Sequence, residues 1–290
     1  PCGTLFPYTT LFRSIVITGS EIVGLIPFEA IREAGRFYRE RMMKSPGIPV
    51  PDLVETAIQS MGLRDGAEFD PSEKVLAMPT VDGPLVRKPT FDFVDEVSRD
   101  TPAPGGGSVS ALAGGLGAAL AAMVANLSVG KGEFDDRYDE LCTLADRAQE
   151  LKDALVRGVD EDTQAFDEVI AGMRMPKDTE EERALREVAI QEGYKSATRV
   201  PMATVEQCRD ALALCLDMVR MATPEMISDV GTGALVARAG LVGAAYNVRI
   251  NLKSITDEAF RKEMRDRLAG VVEEGQKLAD QVEAIMEEAL

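Results

Sequence analysis

Residues 100–132 read DTPAPGGGSVSALAGGLGAALAAMVANLSVGKG. From Thr101 to Val129 this stretch carries no charged side chain. It opens on Gly105, Gly106, Gly107 and Ser108, as a phosphate-binding loop does, and then runs on in Ala, Gly, Leu and Val for the length of a membrane span. Neither reading survives its details. The run has no Phe and no flanking aromatic belt, which argues against a bilayer. The Lys-Ser/Thr of a phosphate loop is missing, and no GxGxxG follows a strand. Gly114, Gly115 and Gly117 each cost a helix roughly 1 kcal/mol relative to Ala. That cost is intelligible if another backbone approaches closely. Small residues at 111, 114, 115, 118, 121, 122 and 125 leave little bulk on any side. The stretch therefore predicts a turn, capped by Ser108, and a helix over 107–129 buried on all sides in a bundle or at a subunit contact. A ligand carbonyl or carboxylate at its N-terminus is compatible with this reading.

Composition narrows the chemistry. The chain has 290 residues, 45% of them hydrophobic, and a formal charge of -17. Such acidity repels phosphate backbones, so no nucleic-acid partner is expected. There is no histidine and no tryptophan. Ser-His-Asp and Cys-His catalysis are excluded, as is an imidazole zinc site, and no metal ligand set is expected. Proton transfer must fall to Asp, Glu, Lys, Tyr, Cys or water. Four cysteines, at 2, 142, 208 and 215, show neither CxxC spacing nor a disulfide framework, which fits a reducing cytoplasm.

The chain changes character along its length. Residues 1–14, PCGTLFPYTTLFRS, lack periodicity, resemble translated sequencing-adaptor sequence and are set aside as non-native. Residues 15–78 read as a small α+β piece: a strand at 15–18, a helix from Pro27 to about Met43, a helix over 51–62 and a strand at 74–78. Residues 79–88 are a Pro/Gly linker. From 89 to 290 the pattern is helical throughout. Helices are predicted near 90–99, 107–129, 134–172, 179–197, 201–222 and 226–253, and from an N-cap at Thr256 to the end. Pro104, Pro176, Pro201 and Pro224 mark breaks or first turns. The fold class is mainly α, a helical bundle behind a small α+β remnant.

Two helical faces carry polar groups among apolar ones. Leu151, Leu155, Val159, Phe166, Val169, Ile170 and Met173 form one stripe of about 100°, and Asp162 lies inside it, whereas Asp160 and Glu161 lie outside. A carboxylate there must pair with a buried Arg, cap a neighbouring helix, or serve as an acid/base group with a pKa raised by desolvation. On a second face Asp229, Asn247 and Asn251 alternate with Gly233, Val236, Gly240 and Gly243. Those amides bond either a neighbouring backbone or a flat heterocycle. Lys131, Arg174, Lys177, Lys195, Arg199, Arg249 and Lys253 are the nearby cations, suited to an anionic ligand tail or simply solvated.

Four segments, TPAPGGGSVSALAGGLGAALAAMVANLSVGKG, DEDTQAFDEVIAGMRMPK, ATRVPMATVE and SDVGTGALVARAGLVGAAYNVRINLKSITDEAF, resemble the formimidoyltetrahydrofolate cyclodeaminase family, which also contains methenyltetrahydrofolate cyclohydrolases. The likeness covers nearly all of 89–290. Upstream, ITGSEIVGLIPFEAIREAGRFYRERMMKSPGIPVPDLVETAIQSMGL and FDPSEKVL are similar to the end of glutamate formimidoyltransferase, with which the first family occurs fused. The resemblance implies a truncated fusion, in which 5-formimidoyltetrahydrofolate closes to 5,10-methenyltetrahydrofolate with release of ammonia, in one-carbon metabolism and histidine degradation. It implies Asp162 as the acid/base group, with Asp160 as the fallback. Asp229, Asn247 and Asn251 would hold the pterin or orient the acid, Gly105–Ser108 would approach the ligand, and Lys131, Arg199 and Lys253 would meet a tail of one or several glutamates. Many relatives have a second basic residue after Lys131, where this chain has Gly132, which weakens a tail contact there. No tightly bound cofactor is implied, and the folate is substrate. A homodimer or higher oligomer is implied, with the site near the subunit contact. Transferase activity is not expected, because that family's catalytic histidine has no counterpart. Cyclohydrolase chemistry and a non-catalytic helical oligomerisation module are the alternatives.

Overall fold

The computed structural model describes residues 19–79, 83–130 and 135–290. The strand predicted at 15–18, part of the linker and Lys131 lie outside them. The chain divides into two compact units, Pro1–Pro79 and Thr80–Leu290.

In the first unit, β1 (Ile26–Pro27) leads directly into α1 (Phe28–Arg41). There follow α2 (Val50–Met61), α3 (Pro71–Lys74) and β2 (Val75–Leu76). Pro27 sets the extended backbone from which α1 starts, and Gly62 ends α2 in the left-handed region that favours glycine. β1 and β2 pair in parallel, Ile26 with Val75 and Pro27 with Leu76. Ile31, Val54, Ala57 and Ile58 form the small core.

The second unit is a bundle. After α4 (Thr90–Val97) come α5 (Gly106–Ser128), α6 (Tyr138–Arg174), α7 (Glu180–Val219) and α8 (Ile227–Leu252). Each of α5 to α8 packs on the next, and α8 returns to α5. The last helix, α9 (Glu258–Ala289), lies on α7 and α8. Neighbours run antiparallel. Gly107 meets Asp162 while Gly114 meets Leu155, and Gly240 meets Ser110 while Gly233 meets Gly117. The α5–α8 contact is backbone on backbone: a Cβ on Gly240 would stand 2.7 Å from the Ser110 carbonyl oxygen. This close approach is why α5 is built of Gly and Ala. The helix has the length and apolarity of a membrane span, yet most of it is buried among its neighbours.

Three boundaries differ from the sequence reading. Helices predicted at 179–197 and 201–222 are one helix, α7, with Pro201 inside it. Proline removes the N–H that would bond the Ala197 carbonyl. Asn251 of α8 replaces it, its Nδ2 donating to Ala197 O at 2.6 Å. The helix thus continues because a neighbour satisfies the orphaned acceptor. Asn251→Ala is expected to destabilise the protein by about 1–3 kcal/mol, the penalty for an unpaired acceptor. In Pro201→Ala the restored N–H should remove most of that loss, so a double-mutant cycle read by urea denaturation should show strong coupling. Additive effects would disprove the compensation. Secondly, α9 is capped by Asp257, which accepts from Phe260 N, while Thr256 bonds Gln191. Thirdly, Ser108 does not cap α5. The N-cap is Gly105, and Ser108 stands two residues inside the helix.

Candidate active site

The site forms at a step in the bundle. α5 begins here, while α6 runs on past Asp162 for 12 more residues to Arg174, about 18 Å. The register of Asn251 with Ala197, and of Gly240 with Cys208, sets Asn247 of α8 level with Pro201 of α7. Each of the four helices therefore brings an irregular or polar feature to this level.

Asp162 reaches from α6 to the start of α5. Its carboxylate occupies the space that a side chain on Gly107 would fill. It accepts a hydrogen bond from the Ser108 amide. Asp162 thus caps the neighbouring helix across the bundle, one of the roles open at the sequence level. The Ser108 hydroxyl donates to Val159 O at 2.8 Å and lies 3.3 Å from both Asp162 Oδ2 and Thr163 Oγ1. Burial pushes the Asp162 pKa above the usual carboxylate range, and the Ser108 hydroxyl and amide offset only part of that. A carboxyl group so placed can hold a proton and pass it on. Capping and acid/base readiness are therefore compatible properties of one side chain.

Around it, Asn247 donates from Nδ2 to Gly243 O at 2.9 Å and lies against Gly106. Its Oδ1 has no partner among the described residues and remains available as an acceptor. The Gly106 and Gly107 amides, in the first turn of α5, likewise meet no acceptor among the described residues. Together with Asp162 they offer two donors, one acceptor and one proton-transfer group at a single level.

The other sequence-predicted residues are distributed differently. Asp160, read from the helical wheel as lying off the buried stripe, is only 6% exposed. Its two oxygens accept the Leu85 and Val86 amides at 2.9 and 3.2 Å. The wheel missed this because residues 83–88 cover that side of α6, and a single-helix projection does not include a covering strap. Asp160 is committed to anchoring the strap. Asn251 serves the Ala197 carbonyl. Asp229 shares a face with Asn247 but lies 18 residues away along α8, about 27 Å, so one chain does not bring the two together. Arg199 stacks on Phe260, 5.2 Å from the ring centroid, beside Lys195. Lys253 caps the end of α8. Lys131 lies outside the described residues. Sequence reasoning missed the Ser108 hydroxyl's link to α6 and the Pro201–Asn251 compensation. The proline inside a helical pattern was the only available signal for the latter. Cys208 and Cys215 offer no rival nucleophile, since burial pushes both thiols up to about 12.

Comparison with known proteins supplies the wider frame. Residues 89–270 match the family model described as formiminotransferase-cyclodeaminase, and residues 10–79 match the formiminotransferase domain. The chain is 33% identical to formimidoyltransferase-cyclodeaminase from Gallus gallus over 97% of its own length and 52% of the relative's. It is 36% identical to a methenyltetrahydrofolate cyclohydrolase from Methylorubrum extorquens, over 66% of this chain and 91% of that one. The crystal structure of formiminotetrahydrofolate cyclodeaminase from Thermotoga maritima superposes with a TM-score of 0.64 at 27% identity, covering 70% of this chain and 97% of the other. The chain spans about half the length of the bifunctional relatives it matches.

Proposed function

The chain belongs to the formiminotransferase-cyclodeaminase family, and we propose that it converts 5-formimidoyltetrahydrofolate to 5,10-methenyltetrahydrofolate and ammonia. The observation that carries this reading is the Asp162 carboxyl group, with its raised pKa, at the open start of α5.

The reaction needs a group that takes a proton and returns it. Nitrogen 10 attacks the protonated amidine carbon, forming a new C–N bond and a tetrahedral adduct. Asp162 accepts the proton from nitrogen 10 and delivers it to the exocyclic nitrogen. The C–N bond to that nitrogen then breaks, ammonia leaves, and the methenyl cation keeps the charge that the amidinium brought. Holding both reacting nitrogens of one substrate in ring-closing geometry supplies much of the acceleration. The ionised carboxylate also stabilises the cationic product. Asn247 Oδ1 suits a ring N–H, and the Gly106 and Gly107 amides suit a ring carbonyl. Transferase turnover is not expected of these 290 residues, which hold no histidine for that chemistry.

The extensive match to a cyclohydrolase favours a second reading, water attack on methenyltetrahydrofolate in the same pocket. Ammonia release from formimidoyltetrahydrofolate, measured beside methenyltetrahydrofolate hydrolysis, separates them. Turnover of the latter alone would reject cyclodeamination.

The expected placement of Asp229 in the site is reconciled with its distance by a dimer. Val109, Leu116, Met123 and Leu127 are exposed on α5 and fall within about 40° of one another. Two copies paired antiparallel along this stripe, in an isologous contact, would bring the Asp229 end of one near the Asp162 end of the other. Co-expressed Asp162→Asn and Asp229→Asn chains should then recover about a quarter of wild-type turnover, since half of random pairs are mixed and each keeps one intact site. Absence of recovery would remove Asp229 from the site.

A further inference from the structure

Among the described residues, five serines and threonines are buried within helices: Ser108, Ser110 and Ser128 on α5, and Thr198 and Thr204 on α7. Four of them satisfy the hydroxyl locally, donating to the carbonyl one turn back in their own helix, at Gly106, Val124, Tyr194 and Val200. Ser108 stands apart. The residue one turn before it, Pro104, lies outside α5, and its hydroxyl crosses to α6 instead. It is fully buried where it does so.

A hydroxyl offers one hydrogen and two lone pairs, and it rotates to suit its neighbours. Around Ser108 Oγ stand Val159 O at 2.8 Å, Asp162 Oδ2 at 3.3 Å and Thr163 Oγ1 at 3.3 Å. Val159 O lies inside α6 and accepts the Thr163 amide one turn on, so it does not depend on Ser108 for a partner. The single hydrogen of Ser108 therefore has two places to go. A neutral carboxyl group is a poorer acceptor than a peptide carbonyl, whereas an ionised one makes a charge-assisted bond about twice as strong as a neutral one. With that hydrogen committed to either acceptor, the Thr163 hydroxyl donates to the Ser108 oxygen and polarises it.

We propose that Ser108 is a positioning residue whose hydroxyl changes partner with the state of Asp162, donating to Val159 O while the carboxyl group is protonated and to Asp162 Oδ2 while it is ionised. The Ser108 proton stays on its own oxygen throughout, and the Ser108 amide holds the carboxyl group in place. Burial opposes ionisation of Asp162, and the hydroxyl relieves part of that cost. No charged side chain shares the task. α5 carries none. Arg199 of α7 stacks on Phe260, and Arg249 of α8 lies over Tyr246. On α6 itself, Asp160 is held by the Leu85 and Val86 amides, and Glu161 is exposed. None of these is among the groups that shift the Asp162 proton affinity. The catalytic consequence rests on the function proposed above: a group that takes a proton and returns it must be supported in both forms.

Ser108→Ala tests this by two routes. In carbon-13 NMR of the aspartate carboxyls, with the Asp162 resonance assigned by its loss in Asp162→Asn, the titration midpoint of Asp162 should move to higher pH, because the ionised form has lost a donor. In steady-state kinetics, kcat should fall by about tenfold with KM little changed, and the acid limb of its pH profile should move upward with the midpoint. Thr163→Val, which keeps the shape of the side chain and leaves Ser108 in place, should produce a smaller rise in the same direction. Melting curves check folding, and where Ser108→Ala does not fold, Thr163→Val carries the test by the same criterion. A midpoint that stays put or falls would overturn the proposal and reduce the hydroxyl to a structural tie between α5 and α6, even with turnover lost. A wild type without turnover would reject the function proposed above and leave the NMR titration to judge Ser108.

Discussion

Asp162→Asn is expected to lower turnover by about 10² to 10⁴, the range that a positioned acid/base group supplies. The amide keeps an oxygen to accept the Ser108 N–H, so α5 retains its cap and the bundle should fold. The same substitution tests the environment through stability. Burial raises the folded-state pKa of Asp162 above its unfolded value. The folded protein therefore holds that proton more tightly than the unfolded chain does. The stabilisation from this group is complete below the unfolded pKa and is lost as pH rises through the folded pKa. The amide side chain of the variant carries no such dependence, so the variant should gain on the wild type in melting temperature as pH rises from the unfolded pKa of Asp162 through its raised folded pKa. A variant that loses turnover and also unfolds would point to a purely structural cap. One that turns over normally would remove Asp162 from the mechanism.

Gly107→Ala is expected to be the most damaging substitution that adds no charge and removes none. A Cβ at 107 falls on the Asp162 carboxyl group. The obstructing atoms are the end of a side chain, so the chain yields by moving the carboxylate, not the helices. Alanine also favours α5 over glycine by roughly 1 kcal/mol, which should hold stability level or raise it. Turnover should fall by about 10², the loss produced by displacing a reacting group by an ångström. At Gly106 a Cβ would stand 3.3 Å from Asn247 Nδ2, a milder crowding, so Gly106→Ala should be less affected. Steady-state kinetics of the pair, with melting curves, decide the matter. Equal losses at 106 and 107 would indicate general damage to the turn instead of displacement of Asp162.

Much of the bundle was legible because its signals are local. The Gly/Ala run of α5 announced close backbone contact, and Gly240 against Ser110 realises it. Asp162 stood out as a carboxylate within an apolar stripe. What could not be read are the relations between elements. Pro201 breaks a helix by every local rule, and only the reach of Asn251 from another helix overrides it. Asp160 lies off the buried stripe on the wheel, and it is residues 83–88, folded over it, that bury it. Asp229 and Asn247 share a helical face, but periodicity carries no limit on distance along the axis. Lys253 was legible as a cation near the end of a helix, whereas the cleft that it lines with Arg265 depends on how α9 packs back on α8.

The central claim is that Asp162 holds its proton above the ordinary carboxylate range because of where α6 places it. Carbon-13 NMR of aspartate carboxyls, titrated in the wild type and in Asp162→Asn, measures this directly. The expected result is one resonance titrating above the ordinary carboxylate range that disappears in the variant. Titration of that resonance within or below the ordinary range would contradict the claim.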